Sequence, residues 1–334
     1  HIKMNFIRIS SIWLYICCLL SRCPKVSCKS SNRSSFSPSI ASNNSQSLSY
    51  KRRSLRIKKR IIGGKLTVPT QYPYYTYLEI FYRSSSGLCG GSLVAPDVVL
   101  TAAHCIHPSN GIISRILAKV NYTQNTGNLT GYEYIRNVTR QIPYPKYDFL
   151  RNSGDVALLL LDQPVIGVPM IKLNAMSRTP SVGQSLTMIG FGDTSNGKRE
   201  FPKYLLEVSV STVSQQDCND ENSYGGKIIQ TDMICAGNTS SGGKDACGGD
   251  SGGPLLVTGR SILDDIQVGI SSFGEECGRP DFPGVYTRVS TYIAWIQDMI
   301  CQVSQKKPSS CIRTRNPTRS RPTLKPRKPT RKPK

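Results

Sequence analysis

Residues 248–254 read GGDSGGP, with Ser251 set among four glycines. A serine hydroxyl is a weak nucleophile until a neighbouring base takes its proton, and the base needs a third group to fix its tautomer. Glycines on both sides allow backbone amides to face a developing oxyanion without an intervening side chain. The stretch therefore predicts a reactive serine, provided that a base and an acid stand elsewhere in the chain.

Two other segments offer these partners. Residues 100–105, LTAAHC, place His104 directly after an apolar run, and residues 154–158, GDVAL, place Asp155 at the start of another. Each signal is weak alone, because a lone histidine is usually structural and a glycine-rich turn is usually only a turn. Their joint occurrence favours a Ser-His-Asp arrangement for nucleophilic catalysis.

The residues around these motifs have the pattern of a β protein. Between residues 61 and 301, short apolar or alternating runs are separated by Gly, Pro, Asn and Asp, which predicts an all-β sandwich or barrel. Only residues 291–301 have helical spacing. The clearest predicted strands are residues 75–82, 98–101, 156–161, 185–189, 205–210, 254–257, 267–272 and 285–289.

The formal charge of +22 does not describe this β region. Residues 1–60 carry 13 basic and no acidic residues, and residues 302–334 carry 12 basic and no acidic residues. The 241 residues between them hold 18 basic and 21 acidic residues. The charge therefore lies in two flanks around a slightly acidic middle, which disfavours a nucleic-acid-binding face on the folded part.

The amino-terminal flank has the composition of a signal followed by a propeptide. An apolar run of about a dozen residues after Arg8 is too short to span a bilayer and ends in small and polar residues. We expect residues 1–22 to be a signal peptide and the protein to be secreted, with a retained membrane anchor as the alternative. Residues 23–60 are serine-rich and basic, and we expect them to form a disordered propeptide.

From residue 61 to about residue 301 the chain resembles the trypsin-like, chymotrypsin-fold serine proteases. The motifs IIGG, TAAHC, DVAL and GDSGGP stand in the order of that family and at about its separations. The resemblance implies a trypsin-like peptidase domain over residues 61–301. Its fold would be two packed antiparallel six-stranded β-barrels with a C-terminal helix, flanked by disordered basic segments.

The resemblance also implies roles for the motif residues. His104 would be the general base and acid, Asp155 its orienting carboxylate and Ser251 the nucleophile that forms an acyl-enzyme. The backbone amides of Gly249 and Ser251 would form the oxyanion hole. The competing class is a protease-fold binding protein without turnover, and three intact triad residues argue against it.

Activation and specificity are implied in the same way. The family is made as zymogens cut before an Ile, here after Arg60, so that the new amino group of Ile61 pairs with Asp250. Asp245, six residues before Ser251, would lie at the floor of the substrate pocket and select peptide or protein substrates with Arg or Lys at the cut.

The walls of this pocket are implied too. Ser272, Phe273 and Gly274 would form one wall, and Gly284 would keep the pocket open. Phe273 departs from the tryptophan more often found there, which leaves the preference for the preceding substrate residue open. Ala246 in place of a hydroxyl residue predicts a modest preference for Arg over Lys.

Twelve cysteines indicate an oxidising compartment. The resemblance implies the pairs Cys89–Cys105, Cys218–Cys235 and Cys247–Cys277. Two cysteines lie in the predicted signal peptide, and those at positions 23, 28, 301 and 311 are left over. These four fit either two local pairs or cross-links between propeptide and tail. We expect no metal, because these cysteines have no histidine nearby and residues 115–147 hold a single acid, Glu133. No cofactor is expected either.

The remaining predictions concern the surface and the tail. Four sites match the N-glycosylation acceptor, at Asn121, Asn128, Asn137 and Asn238. Residues 302–334 form a basic, Pro-rich tail that is either a solvated disordered segment or a tether to a heparin-like polyanion. A nucleic-acid partner is disfavoured, because the tail has no aromatic residues for stacking. We expect a monomer.

Overall fold

The computed structural model describes residues 64–125, 131, 133–194, 200–228, 230–238, 248–275 and 277–311. The predicted signal peptide, the propeptide and most of the basic tail lie outside these ranges. So do the predicted activation residues Arg60 and Ile61, the pocket residue Asp245, the neighbouring Ala246 and the acceptor Asn128.

The described residues form fourteen strands, a short helix α1 at Gln215–Cys218 and a longer helix α2 at Val289–Val303. In chain order the strands are β1 Lys65–Leu66, β2 Tyr75–Tyr82, β3 Ser86–Ala95, β4 Val98–Thr101, β5 Ile113–Val120, β6 Tyr134–Pro143, β7 Ala157–Leu161, β8 Lys172–Leu173, β9 Ser185–Gly190, β10 Leu206–Val213, β11 Met233–Gly237, β12 Pro254–Val257, β13 Ile266–Phe273 and β14 Gly284–Arg288.

Twelve of these strands close into two six-stranded antiparallel barrels, so the predicted fold is confirmed. The first barrel has the order β2-β3-β4-β7-β6-β5. The second has the order β9-β10-β11-β14-β13-β12 and closes through the pairing of β9 with β12. Strand β1 adds to β10, and β8 adds to β13 as a parallel pair. Closure leaves the barrels without long free edges.

The predicted strands match these elements closely. β2, β4 and β12 have the predicted bounds, and the others differ by one to three residues at an end. The predicted strands do not include β3, β5, β6 or β11. For β6 the reason is that nearly all of its side chains are exposed or half-buried and its polar sequence lacks a clear alternation. Helix α2 begins two residues earlier and ends two residues later than predicted. It buries Val289, Tyr292, Ile296 and Ile300, which share one helical face.

The end of α2 is fastened to the first barrel. Cys301 is bonded to Cys311, which is the local arrangement of the two considered for these cysteines. The buried carboxylate of Asp97, in the turn between β3 and β4, accepts hydrogen bonds from the Ser304 hydroxyl at 2.5 Å and the Gln305 amide at 2.6 Å. The segment that leads into the basic tail is therefore held at a defined place on the barrel.

Candidate active site

His104 and Asp155 meet at the ends of two neighbouring strands of the first barrel. β4 ends at Thr101, and His104 begins a single turn of 3₁₀ helix. Asp155 precedes β7, which pairs with β4 so that Thr101 faces Ala157. The His104 amide donates to one Asp155 oxygen at 2.8 Å, and the Nδ1 atom lies 2.7 Å from the other. This contact fixes the ring and leaves Nε2 as the nitrogen that can accept a proton.

The charge of Asp155 changes the proton affinity of His104. Burial by itself would lower the pKa of His104, but the carboxylate raises it through its charge and its hydrogen bond, and the net pKa lies above the ordinary value. Asp155 is fully buried, whereas the His104 side chain is 21% exposed. The imidazole is thus a stronger base than a free histidine and remains reachable from one side.

The second barrel also holds Asp155. The Ser272 hydroxyl on β13 donates to the carboxylate at 2.5 Å, and the Thr287 hydroxyl on β14 donates to the Asp155 backbone carbonyl at 2.9 Å. A buried carboxylate needs such donors, because desolvation without them is costly. The acid therefore lies at the junction of the two barrels and is satisfied by both.

Ser251 is brought to the same junction by the backbone. Its carbonyl accepts from the Gly90 amide at 2.7 Å, and the adjacent Cys89 is bonded to Cys105, the neighbour of His104. Among the hydrogen bonds of the described residues, none joins the Ser251 hydroxyl to His104. Catalytic hydrogen bonds are often long before substrate binds, so this geometry is compatible with a nucleophile and base.

The next residue explains why the motif requires glycine. A Cβ atom at Gly252 would lie 2.2 Å from the Thr101 hydroxyl oxygen and 3.1 Å from the Ala102 nitrogen. Gly252 also has a φ of +78°, a conformation that other residues rarely adopt. Any larger residue would push Ser251 away from the strand that leads to His104.

The backbone at Gly249 has a conformation that glycine favours and is anchored on one side. The Gly248 carbonyl accepts from the Asp193 amide at 2.7 Å. In a trans peptide the carbonyl and the following N–H point in opposite directions, so the Gly249 N–H points away from Asp193. Gly249 has a φ of +101°. The Gly249 amide as a donor to an oxyanion beside Ser251 stays a prediction.

Asp250 points away from this surface into the second barrel. It is fully buried, and one carboxylate oxygen accepts from the Gly192 amide at 2.8 Å. Side chains at Gly190 or Gly192 would collide with the carboxylate, since a Cβ atom there would lie 2.0 or 2.1 Å from its oxygens. The Asp250 charge adds to burial in raising the pKa of Tyr75 well above its ordinary value.

Next to the Ser251 turn, the end of β13 lies against the beginning of β14. Phe273 faces Val285 across the strand pair, and its ring packs edge-on against Tyr224 with centroids 5.9 Å apart. A Cβ atom at Gly274 would be 4.0 Å from the Gly284 Cα atom. The two glycines face each other, so side chains at these positions would narrow the space between the strands.

Comparison with known proteins agrees with this geometry. The family model described as Trypsin matches residues 61–296. The chain is 34% identical to Trypsin Blo t 3 of Blomia tropicalis over 242 residues, covering 71% of this chain and 85% of that protein. It is also 34% identical to Serine proteinase stubble of Drosophila melanogaster over 256 residues, covering 73% of this chain and 32% of that protein.

The chain belongs to the trypsin family. It is a serine-type peptidase with the chymotrypsin fold. Among the predicted site residues that the structure describes in this trypsin-family chain, His104, Asp155 and Ser272 are joined by hydrogen bonds. The Ser251 backbone is bonded to Gly90, and Gly274 lies beside Gly284. The Asp250 carboxylate is turned toward Gly190 and Gly192 instead. Asp245 lies outside the described residues, so its place in the pocket remains a prediction.

Sequence reasoning missed part of how the site of this trypsin-family protein is built. It assigned Ser272 to the pocket wall only, whereas the hydroxyl also donates to Asp155. It did not find Thr287, Gly190 or Gly192. No short motif marks these residues, because each acts on a partner more than 50 positions away in sequence. The repeated glycines at 190 and 192 were the only available signal.

The disulfides of the trypsin-family domain brace this site. The structure joins Cys89 to Cys105 and Cys218 to Cys235. Cys277 is disulfide-bonded, and its predicted partner Cys247 lies outside the described residues. A cluster of Cys89, His104 and Cys105 has atoms spaced as in a metal site. Both sulfurs are in the disulfide, so they cannot act as thiolate ligands.

Proposed function

We propose that this trypsin-family chain is a secreted endopeptidase that cuts peptide bonds after Arg or Lys. In the proposed mechanism His104 takes the proton of the Ser251 hydroxyl, and the Ser251 oxygen attacks the substrate carbonyl. The amides of Gly249 and Ser251 stabilise the oxyanion. The protonated His104 then gives its proton to the leaving amine. In the second half His104 takes a proton from water, the water oxygen attacks the acyl carbonyl, and the Ser251 oxygen leaves with the proton that His104 returns.

One observation carries this proposal. The fully buried Asp155 carboxylate binds Nδ1 of a partly exposed His104, which raises the pKa of that histidine. A buried carboxylate and imidazole fixed next to a glycine-flanked serine are hard to explain as structure alone, because a buried ion pair rarely adds net stability. A protease-fold binding protein without turnover has no use for a base with raised proton affinity, so that alternative is not favoured.

The proposed specificity rests on Asp245 and on the neighbouring ends of β13 and β14. In this proposal Gly274 and Gly284, which lie beside each other, would keep the pocket open for a long side chain, and Ser272 and Phe273 would form its wall. A carboxylate at the floor would attract the cationic end of Arg or Lys and reject neutral side chains. Ala246 would favour Arg over Lys modestly.

The proposed activation uses Asp250. Cleavage after Arg60 would create an amino group at Ile61 that pairs with the buried carboxylate. Removal of one partner from a buried ion pair costs about 3–5 kcal/mol. Before cleavage, the Ser251 turn would therefore lack the support it needs, which would keep the uncut chain poorly active.

Secretion and glycosylation are proposed from the chemistry of the chain. Structural disulfides are typical of oxidising compartments. Within the described ranges, no helix is long and apolar enough to cross a membrane. Asn137 is exposed on β6, whereas Asn121 is only 8% exposed. Asn137 is therefore the better candidate glycan site of these two.

The basic tail is proposed to bind a heparin-like polyanion. The tail has 12 basic residues and no acidic residue. Binding of such a tail to a polyanion releases the counterions of the polyanion, so the affinity should fall as the salt concentration rises. The Cys301–Cys311 bond and the Asp97 contacts fix the root of the tail to the barrel. The turn that holds Asp97 lies at the opposite end of β4 from His104, so a tethered tail would leave the active site accessible.

The nucleophile is tested by Ser251→Ala. We expect kcat/KM for a peptide substrate to fall by roughly 10⁴-fold or more with little change in folding, since the variant loses only the attacking oxygen. The matched control is Ser261→Ala, in an exposed loop, which should keep full activity. Unchanged hydrolysis in the Ser251 variant contradicts the proposed mechanism.

The specificity is tested by Asp245→Ser. The loss of the charge that pairs with the substrate should cost about 2–5 kcal/mol, or roughly 30-fold to several thousand-fold in kcat/KM, for Arg and Lys substrates. Rates on substrates with an apolar residue at the cut should fall much less. Asp217→Ser, which changes an exposed aspartate, is the control. Equal losses for cationic and apolar substrates would rule out Asp245 as the specificity residue.

The tail proposal is tested on a heparin column. A chain that ends at Cys311 keeps the terminal disulfide but loses ten of the basic residues. We expect it to elute at clearly lower salt than the full chain, because fewer counterions are released. Elution of both chains at the same salt concentration would remove the tether hypothesis.

A further inference from the structure

The residue before the catalytic aspartate has an unusual environment. Gly154 has a φ of +71°, and a Cβ atom there would lie 2.9 Å from the Tyr144 ring. Its amide donates at 3.0 Å to the carboxylate of Asp232, which lies in the loop before β11. The backbone that leads into Asp155 is therefore held by a side chain from a distant part of the chain.

Asp232 is in turn held by helix α2. It is 4% exposed, and its second oxygen accepts a hydrogen bond from the Tyr292 hydroxyl. Burial, followed by the hydrogen bond to Asp232, raises the pKa of Tyr292. The Tyr292 ring packs against Tyr144 with centroids 4.9 Å apart, and Trp295 packs against Tyr144 with centroids 5.3 Å apart. Both the polar and the apolar neighbours of Gly154 thus depend on α2.

We propose that Asp232 is a positioning residue for the catalytic acid. It acts through the Gly154 amide, which fixes the direction in which the Asp155 side chain leaves the backbone, while Tyr292 holds Asp232 in place. The inference rests on the proposed role of Asp155 in catalysis. A shift of about 1 Å at Asp155 would weaken its contact with His104 and lower the proton affinity of the base.

The test compares Asp232→Ala with a control of the same chemistry. Asp265 is also 4% exposed, and it accepts from the Tyr74 hydroxyl at 2.7 Å and the Gly259 amide at 2.8 Å. Both aspartates bind one tyrosine hydroxyl and one glycine amide, but Gly259 precedes no site residue. Asp265→Ala should therefore lose similar stability without changing catalysis.

The expected result distinguishes an effect on the position of Asp155 from a loss of stability of the fold. Asp232→Ala should lower kcat about 10- to 100-fold with KM nearly unchanged. Because His104 would hold its proton less tightly, the acid limb of the pH profile of kcat/KM should move to lower pH by about half a unit. Asp155 is the charged group in contact with His104. Tyr147 is also close enough to interact with the Asp155 charge. Burial, and then this charge, raise the pKa of Tyr147, so the phenol stays neutral over the pH range of the acid limb and does not contribute to it. Asp265→Ala should leave kcat and the limb unchanged.

Two further variants keep the proposal falsifiable. Asp232→Asn retains an oxygen for the Gly154 amide and should recover most of kcat. If Asp232→Ala does not fold, Tyr292→Phe takes its place in the test. This variant removes only the hydroxyl, and it should shift the acid limb in the same direction. The proposal is overturned if Asp232→Ala or Tyr292→Phe leaves the limb in place. It is also overturned if Asp232→Asn behaves like the alanine variant, or if Asp265→Ala loses kcat equally.

A second readout distinguishes this inference from the proposed function. The proton in the short contact between His104 Nδ1 and Asp155 should give a low-field NMR resonance without any substrate. If the cleaved wild-type chain hydrolyses nothing, the proposed function fails, and the resonance still reports on positioning. An upfield shift of that resonance in Asp232→Ala, with none in Asp265→Ala, supports the inference, whereas identical spectra contradict it.

Discussion

The junction between the two barrels depends on the buried carboxylate of Asp155. Asp155 has no exposure to solvent, and its oxygens are bound by the amide and ring of His104 and by the Ser272 hydroxyl. Two of these groups come from the first barrel and one from the second. Because an unpaired charge in this position would cost several kcal/mol, the barrels are constrained to meet where all three donors reach it. The reactive geometry follows from that constraint.

The rest of the site is built by close backbone approach. Gly252 touches Thr101 across the junction, and Gly190 and Gly192 leave room for the Asp250 carboxylate. These glycines contribute no chemical group, but larger residues would separate the serine from the histidine or expel the acid beneath it. The catalytic motif is therefore as much a packing requirement as a set of reactive groups, and its side chains lie close together only because the intervening backbone carries no Cβ atoms.

Much of this could be predicted from the sequence, for physical reasons. Strands such as β2, β4 and β12 have an apolar or alternating pattern and were located with the correct bounds. The motif residues around His104, Asp155 and Ser251 were recognisable because their spacing and glycines are specific. β6 was less clear, because its polar, largely exposed side chains carry no strong periodicity. Thr287 and Asp232 could not be found, since buried hydrogen-bond partners far apart in sequence leave no local pattern.

The central claim is that a fixed Ser-His-Asp site becomes competent when Ile61 is freed to pair with Asp250. The most direct measurement is titration of the chain with a fluorophosphonate, whose rate of reaction reports how far the serine is activated, before and after cleavage at Arg60. The account predicts one equivalent bound per cleaved chain, and labelling of the uncut chain slower by roughly 10²-fold to several thousand-fold, as the loss of a buried ion-pair partner implies. No labelling after cleavage, or equal rates before and after it, would contradict the account.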